Sequence, residues 1–196
     1  MESSIDAGAA HLINSKLKPP LPAAACVYRE DLIERLDVAS HRKLVLLAAP
    51  IGSGKTTLLT QWHQQYAAER AIAWLSLDEQ DNQPIRFFSY LIGAVRSAVG
   101  GFDAYIASRR DDAAPLIDSA TAIFSERLNR IEQDLVIVID DFQHLTSSLL
   151  PRAFDFLLRR SPANVHWVIS GRCLPDIGLG QLRLDEQLTM IGVSEL

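Results

Sequence analysis

The run Gly52-Ser53-Gly54-Lys55-Thr56-Thr57 constrains this chain more than any other feature. It follows Lys43-Leu44-Val45-Leu46-Leu47-Ala48-Ala49, a continuous apolar stretch of the kind that forms a strand covered on both faces. It precedes Lys55 to Glu69, which reads as helix. A glycine-rich turn between a buried strand and a helix N-terminus is suited to holding a polyphosphate. Gly52 and Gly54 tolerate positive φ, so the backbone N–H groups can turn inward around an anion. The helix end adds roughly half a positive charge aimed at the same place. The Walker A pattern G-x-x-x-x-G-K-[ST] is met by Gly54, Lys55 and Thr56, but its first glycine position falls on Ala49. On this reading Pro50, Ile51, Gly52 and Ser53 form the wall of the cradle. Lys55 brings an ammonium to the β- and γ-phosphates, Thr56 a hydroxyl for Mg²⁺, and Thr57 a hydroxyl for the α-phosphate. The alternative is an ordinary glycine-rich turn, and the strand–loop–helix context argues against it.

The rest of the chain alternates strand and helix patterns. Residues 1–27 hold small residues and then Pro19-Pro20-Leu21-Pro22, which interrupts helix and favours extended backbone; they read as an arm that wraps onto a core of residues 28–196. Tyr28 to Ala39 is an amphipathic helix by the spacing of Leu32, Ile33, Leu36 and Ala39. Residues 71–77 form a second apolar strand, 78–83 a polar loop, and Pro84 opens a helix that Gly100-Gly101 closes. Residues 102–114 carry no clear pattern, with Arg109-Arg110-Asp111-Asp112 reading as solvated. Pro115 to Gln133 is helical, Leu135 to Asp140 is the strongest strand, Leu149 to Arg160 is helix and Val165 to Ser170 a fourth strand. Residues 171–187 are loop-rich, and 188–193 are a candidate fifth strand. This pattern predicts a three-layer α/β/α P-loop NTPase fold with a mostly parallel sheet.

Asp140 ends the third strand, where a Walker B carboxylate would hold Mg²⁺ opposite the Thr56 hydroxyl. Asp141 beside it could polarise an attacking water. The separation of Lys55 from Asp140 fits the additional-strand division of this class, with Val165–Ser170 as the strand inserted between the two motif strands. A shorter carboxylate at position 141, in place of glutamate, holds water less well, so the expectation is a slow switch, with kcat below about 10 s⁻¹. Arg172 follows the fourth strand, at the sheet edge where ligands of open α/β sheets bind, and could sense the γ-phosphate; a solvated loop arginine is the alternative.

Composition sets bounds. The 196 residues, 48% hydrophobic, fit one domain with a real core. A net charge of -5 argues against nucleic-acid binding as the main task of this chain. No stretch approaches the roughly 18 apolar residues of a membrane span, and Met1 to Asp6 lacks the pattern of a secretory signal. Cys26 and Cys173 read as reduced, buried thiols of a cytoplasmic protein. His11, His41, His63, His144 and His166 lack metal-ligand spacing, and Trp62, Trp74 and Trp167 read as core. Ser53 and Ser170 have no His–Asp partner for nucleophilic chemistry. Arg159-Arg160 ends a helix, where cations suit the dipole; a finger acting across subunits is the alternative.

Several segments together resemble the N-terminal nucleotide-binding domain of MalT-type activators, which are ATP-dependent LuxR-family transcription regulators in the STAND class. The segments are Ser15-Lys16-Leu17 with Pro19-Pro20, Val27-x-Arg29, the glycine loop, Trp74-x-Ser76-Leu77-Asp78-x-x-Asp81-Asn82, Tyr90-Leu91, Val138-Ile139-Asp140-Asp141 and Ser170-x-Arg172-x-x-Pro175. The Leu77–Asn82 block is the most particular to the group. The resemblance implies that Arg29 lies near an adenine and that Lys55, Thr56 and Asp140 hold phosphate and Mg²⁺. It further implies that Asp141 serves hydrolysis and Arg172 senses ATP against ADP. It also implies self-association through a longer parent protein, and DNA contact only through a C-terminal domain outside these residues. Two rivals stand beside it: a freestanding ATPase or small-molecule kinase, and a nucleotide-binding module without turnover.

Overall fold

In the computed structural model the described residues are 12–22, 26–102, 113–147 and 149–196. The readings of the chain start, of His11 and of the Arg109–Asp112 segment lie outside them. The described strands are β1 (Leu44–Ala48), β2 (Ala71–Ser76), β3 (Leu135–Asp140), β4 (Val165–Gly171) and β5 (Leu188–Ile191). They form one five-stranded sheet in the order β2-β3-β4-β1-β5. Every pairing in it is parallel. The helices are α1 (Glu30–Ala39), α2 (Lys55–Tyr66), α3 (Pro84–Val99), α4 (Ala113–Leu128), α5 (Leu149–Arg160) and α6 (Leu179–Leu184).

Strand alternation divides the core into two layers. Val45, Leu47, Trp74, Val136, Val138 and Val168 face α1 and α2, which contribute Ile33, Leu36, Leu59 and Trp62. Leu44, Leu46, Leu75, Ile137, Ile139 and Trp167 face α3, α4 and α5 on the opposite side. Helices therefore cover both faces, and the predicted three-layer architecture holds. So does the strand order: β4 lies between β1 and β3. The three tryptophans are fully buried, as their apolar positions imply. The cysteines, expected to be buried, are not: Cys26 is half-buried and Cys173 is exposed in the segment that follows β4.

Some boundaries differ from the sequence reading. The helix expected to reach Glu69 ends at Tyr66, and the one expected to reach Gln133 ends at Leu128. After Leu128 the chain turns, and Asn164 donates its amide to the carbonyls of Ile131 and Gln133, holding that stretch as a connection into β3. The short helix α6 lies inside the segment read as loop; of its six residues only Leu179 and Leu182, both half-buried, rest on the core, too short a pattern to establish a helical period.

Candidate functional site

The loop from Ala49 to Gly54 joins β1 to α2 at the C-terminal edge of the sheet. Gly52 and Gly54 adopt φ of 81° and 93°. A Cβ at either would meet nothing within 4 Å, so the backbone conformation, not space, calls for glycine there. Ala49 is different. Its N–H donates to the Gly171 carbonyl at 3.2 Å, extending the β1–β4 ladder by one rung. It is not among the non-glycine residues with positive φ. The missing first glycine of the motif thus leaves the turn intact.

Lys55, the first residue of α2, is 7% exposed. Its ammonium folds back on the loop and donates to the carbonyls of Ala49 (2.7 Å) and Pro50 (2.9 Å) and to Ser53 Oγ (3.4 Å). Burial pulls its pKa below the usual lysine value, the charges of Asp140 and Asp141 oppose that, and Arg172 reinforces it. These influences bring Lys55, both aspartates and Arg172 into one electrostatic neighbourhood.

Thr56 donates from Oγ1 to Asp140 Oδ2 at 2.8 Å. Asp140 is 2% exposed and also accepts from the Ser170 hydroxyl and from the Asp141 N–H at 3.1 Å. Burial pushes its carboxyl above the ordinary range. The Ser170 and Thr56 hydroxyls work against that, while the neighbouring charge of Asp141 adds to it. A hydroxyl and a carboxylate oxygen within hydrogen-bond reach are hard donors of the type Mg²⁺ takes, and a cation there would offset the cost of burying the Asp140 charge.

Asp141 has φ of 60°, which turns the chain off β3, and its Oδ1 accepts from Gln143 Nε2 at 2.9 Å. Gln143 Oε1 accepts in turn from the Arg172 N–H at 3.2 Å. The Arg172 guanidinium is exposed and has no hydrogen-bond or ion-pair partner among the described residues. Pro50 and Ile51 are exposed, and Thr57 is half-buried on the first turn of α2. Arg29 is also exposed, at the start of α1. The residues just before it are tied to α2, through Gln61 Nε2 to the Val27 carbonyl (3.1 Å) and Tyr28 Oη to Gln65 Oε1 (2.8 Å).

Lys55, Thr56, Asp140, Asp141 and Arg172 therefore share one edge of the sheet, while Arg29 stands on the flank of α2. Two participants escaped the sequence reading. Ser170 was weighed only as a nucleophile; it meets Asp140 because β3 and β4 pair Ile139 with Ile169, and the next rung sets Asp140 beside Ser170. Gln143 carries no motif at all, and its role follows from the turn at Asp141.

A parallel sheet with a strand inserted between the glycine-loop strand and the acidic strand defines a P-loop ATPase core. The chain belongs to the AAA ATPase domain family, which matches residues 25–170. It is 40% identical over 187 residues, 94% of its length, to the HTH-type transcriptional regulator MalT of Cronobacter sakazakii (strain ATCC BAA-894). That bears out the resemblance to MalT-type regulators. The chain spans 20% of that relative's length. Among solved structures it is similar to the Aeropyrum pernix ORC1 protein in complex with DNA, with a TM-score of 0.57 and 17% identity over 89% of this chain and 46% of that one. It is also similar to Cdc6p from Pyrobaculum aerophilum, with a TM-score of 0.51 and 16% identity over 91% of this chain and 49% of that one. At these identities the likeness is one of fold. No described helix is long and apolar enough to cross a membrane.

Proposed function

We propose that this chain binds Mg²⁺-ATP at the C-terminal mouth of its sheet and serves as the slowly hydrolysing switch domain of a longer, cytoplasmic transcription regulator. The contact between Thr56 and Asp140 at 2.8 Å, beside Lys55 at the start of α2, carries this reading. It joins the start of α2 to the end of β3 on the edge where such folds take ligands.

In this reading Gly52, Ser53 and Gly54, with Pro50 and Ile51, offer backbone to the phosphates, and Thr57 faces the α-phosphate. Lys55 exchanges its loop carbonyls for β- and γ-phosphate oxygens. Thr56 and Asp140 hold Mg²⁺, which when bound neutralises charge on the β- and γ-phosphates. Arg29 lies toward the adenine. Asp141 orients a water for in-line attack on the γ-phosphorus; the bond to the β–γ bridging oxygen breaks, and ADP and phosphate leave. Arg172 senses whether the γ-phosphate is present. The 40% identity to MalT supports the regulatory role. Self-association and DNA contact would then belong to the parent protein.

The test is a titration of this chain with a fluorescent ATP analogue, with Mg²⁺ and with EDTA, beside Lys55→Ala. The expected result is Mg²⁺-dependent binding that weakens at least tenfold in the variant. Equal binding by both proteins would overturn the reading. Phosphate release that stops in Asp141→Asn separates a slow ATPase from a module that binds without turnover.

A further inference from the structure

Two blocks that mark the chain's resemblance to its relatives, the Ser15-Lys16-Leu17 arm and Leu77–Asn82, take no part in the site described above. They meet at Asp81, which is completely buried. Lys16, itself only 8% exposed, pairs with Asp81 Oδ2 and with Asp78 (2.9 Å) and stands 4.7 Å from the centre of the Tyr90 ring. The Asp78 N–H donates to the same Asp81 oxygen at 2.8 Å, and Arg86 Nε donates to the other at 2.9 Å. The arm is seated by packing as well. A Cβ built at Gly93 of α3 would come within 2.6 Å of Leu12 Cδ1 and 3.3 Å of Leu17 Cδ1, so the absence of a side chain at 93 makes the seat for these leucines.

The next residue faces the other way. Asn82 Oδ1 accepts from the N–H groups of Thr146 (3.0 Å) and Ser147 (2.9 Å), and its Nδ2 donates to Thr146 Oγ1 (2.9 Å). Thr146 and Ser147 end the segment that begins at Asp141. That segment is bonded along its length, His144 N–H to Asp141 carbonyl at 3.1 Å and Thr146 N–H to His144 carbonyl at 3.1 Å. A single side chain thus clamps the far end of the short segment whose near end carries Asp141.

We infer that Asn82 is a positioning residue for Asp141, and that the arm reaches the same segment through Lys16 on Asp81. When the arm is docked, the turn Glu79–Asn82 is held and Asn82 grips Thr146 and Ser147. When the arm leaves, the grip loosens and Asp141 loses its fixed place. The functional half of the inference rests on the proposed nucleotide site; the coupling of arm to segment does not.

Four variants of this chain test it. Asn82→Leu removes the clamp. Asn82→Asp keeps the oxygen that accepts from the two amides, and the Thr146 hydroxyl can then donate to the second oxygen. Lys16→Met undocks the arm while Arg86 still neutralises Asp81; Gly93→Val undocks it from the packing side and adds helix propensity, so it stands in should Lys16→Met not fold. The first readout is hydrogen exchange of the Ser147 amide; among the described residues that N–H has Asn82 Oδ1 as its one acceptor. The expected result is exchange several-fold faster in Asn82→Leu and in either arm variant, and near the wild-type rate in Asn82→Asp. The second readout is affinity for ATP and ADP: Asn82→Leu should lose about tenfold for ATP and less than twofold for ADP. Unchanged Ser147 exchange in an undocked arm variant overturns the coupling. Equal losses for ATP and ADP overturn the positioning role. A wild type that binds neither nucleotide removes the proposed function and with it the positioning role, and leaves the exchange experiment to decide the coupling.

Discussion

At the scale of single residues, the site depends on where charge and backbone strain are held. Gly54 sits at φ 93° with open space where a side chain would go. Gly54→Ala therefore meets no clash, yet costs about 1–2 kcal/mol from the left-handed backbone alone. Ala49→Gly restores the motif on paper, but it weakens a buried, laddered position and should cost about 0.5–1 kcal/mol. Urea unfolding of both variants checks the pair, and a stabilised Ala49→Gly would contradict the account. Asp140 makes a second case. Its folded pKa lies above its unfolded one because burial disfavours the charge. The folded state therefore binds the proton more readily. The penalty is absent below the unfolded pKa and complete above the folded one. Asp140→Asn can keep the same partners, accepting from Ser170 and Asp141 and donating to Thr56. At pH 7 it should melt above the wild type. The gap should narrow as pH falls below the raised folded value of Asp140 and vanish below the ordinary carboxylate value of about 4. Equal melting temperatures at pH 7 would count against the burial argument.

Elements explain what could be read in advance and what could not. Strands β1 and β3 were legible because each is a continuous apolar run, and β3 is buried at all six positions. The turn into α2 was legible because glycine, lysine and threonine at that spacing serve one geometry. Helix ends were less so: Leu128 stops α4 for reasons that lie in Asn164, 36 residues on by the numbering. The carboxylate of the site was legible at a strand end, but its hydroxyl partner Ser170 was not, since that contact depends on register between strands. Helix α5 meets β4 through a similar contact. Trp167 Nε1 donates to Ser161 Oγ at 3.0 Å, and that hydroxyl donates to the Leu157 carbonyl at 2.6 Å. Ser161→Ala leaves a fully buried indole N–H without its acceptor, so it should destabilise by about 1–3 kcal/mol. Denaturant titration measures this, and a change near zero would mean that the indole finds another acceptor.

Across the whole molecule, the all-parallel sheet sends β1, β3 and β4 to the same edge, and that topology unites residues 84 positions apart in Thr56 and Asp140. On the proposed reading a ligand there would lie against the ends of these strands and the start of α2. It should therefore stabilise the fold as a unit. Mg²⁺-ATP at about 100 times its dissociation constant adds about 2.7 kcal/mol, which a thermal melt would read as a rise of about 5–10 °C. Lys55→Ala should show little of that rise. A full shift in the variant would relocate binding to another part of the chain.

The posture of Lys55 bears on affinity. Its ammonium already clasps two main-chain oxygens of its own loop. On the proposed reading an arriving triphosphate would have to displace those carbonyls, so each new contact to phosphate would replace an old one within the protein. The net gain from Lys55 would then be smaller than the bare attraction between an ammonium and a phosphate.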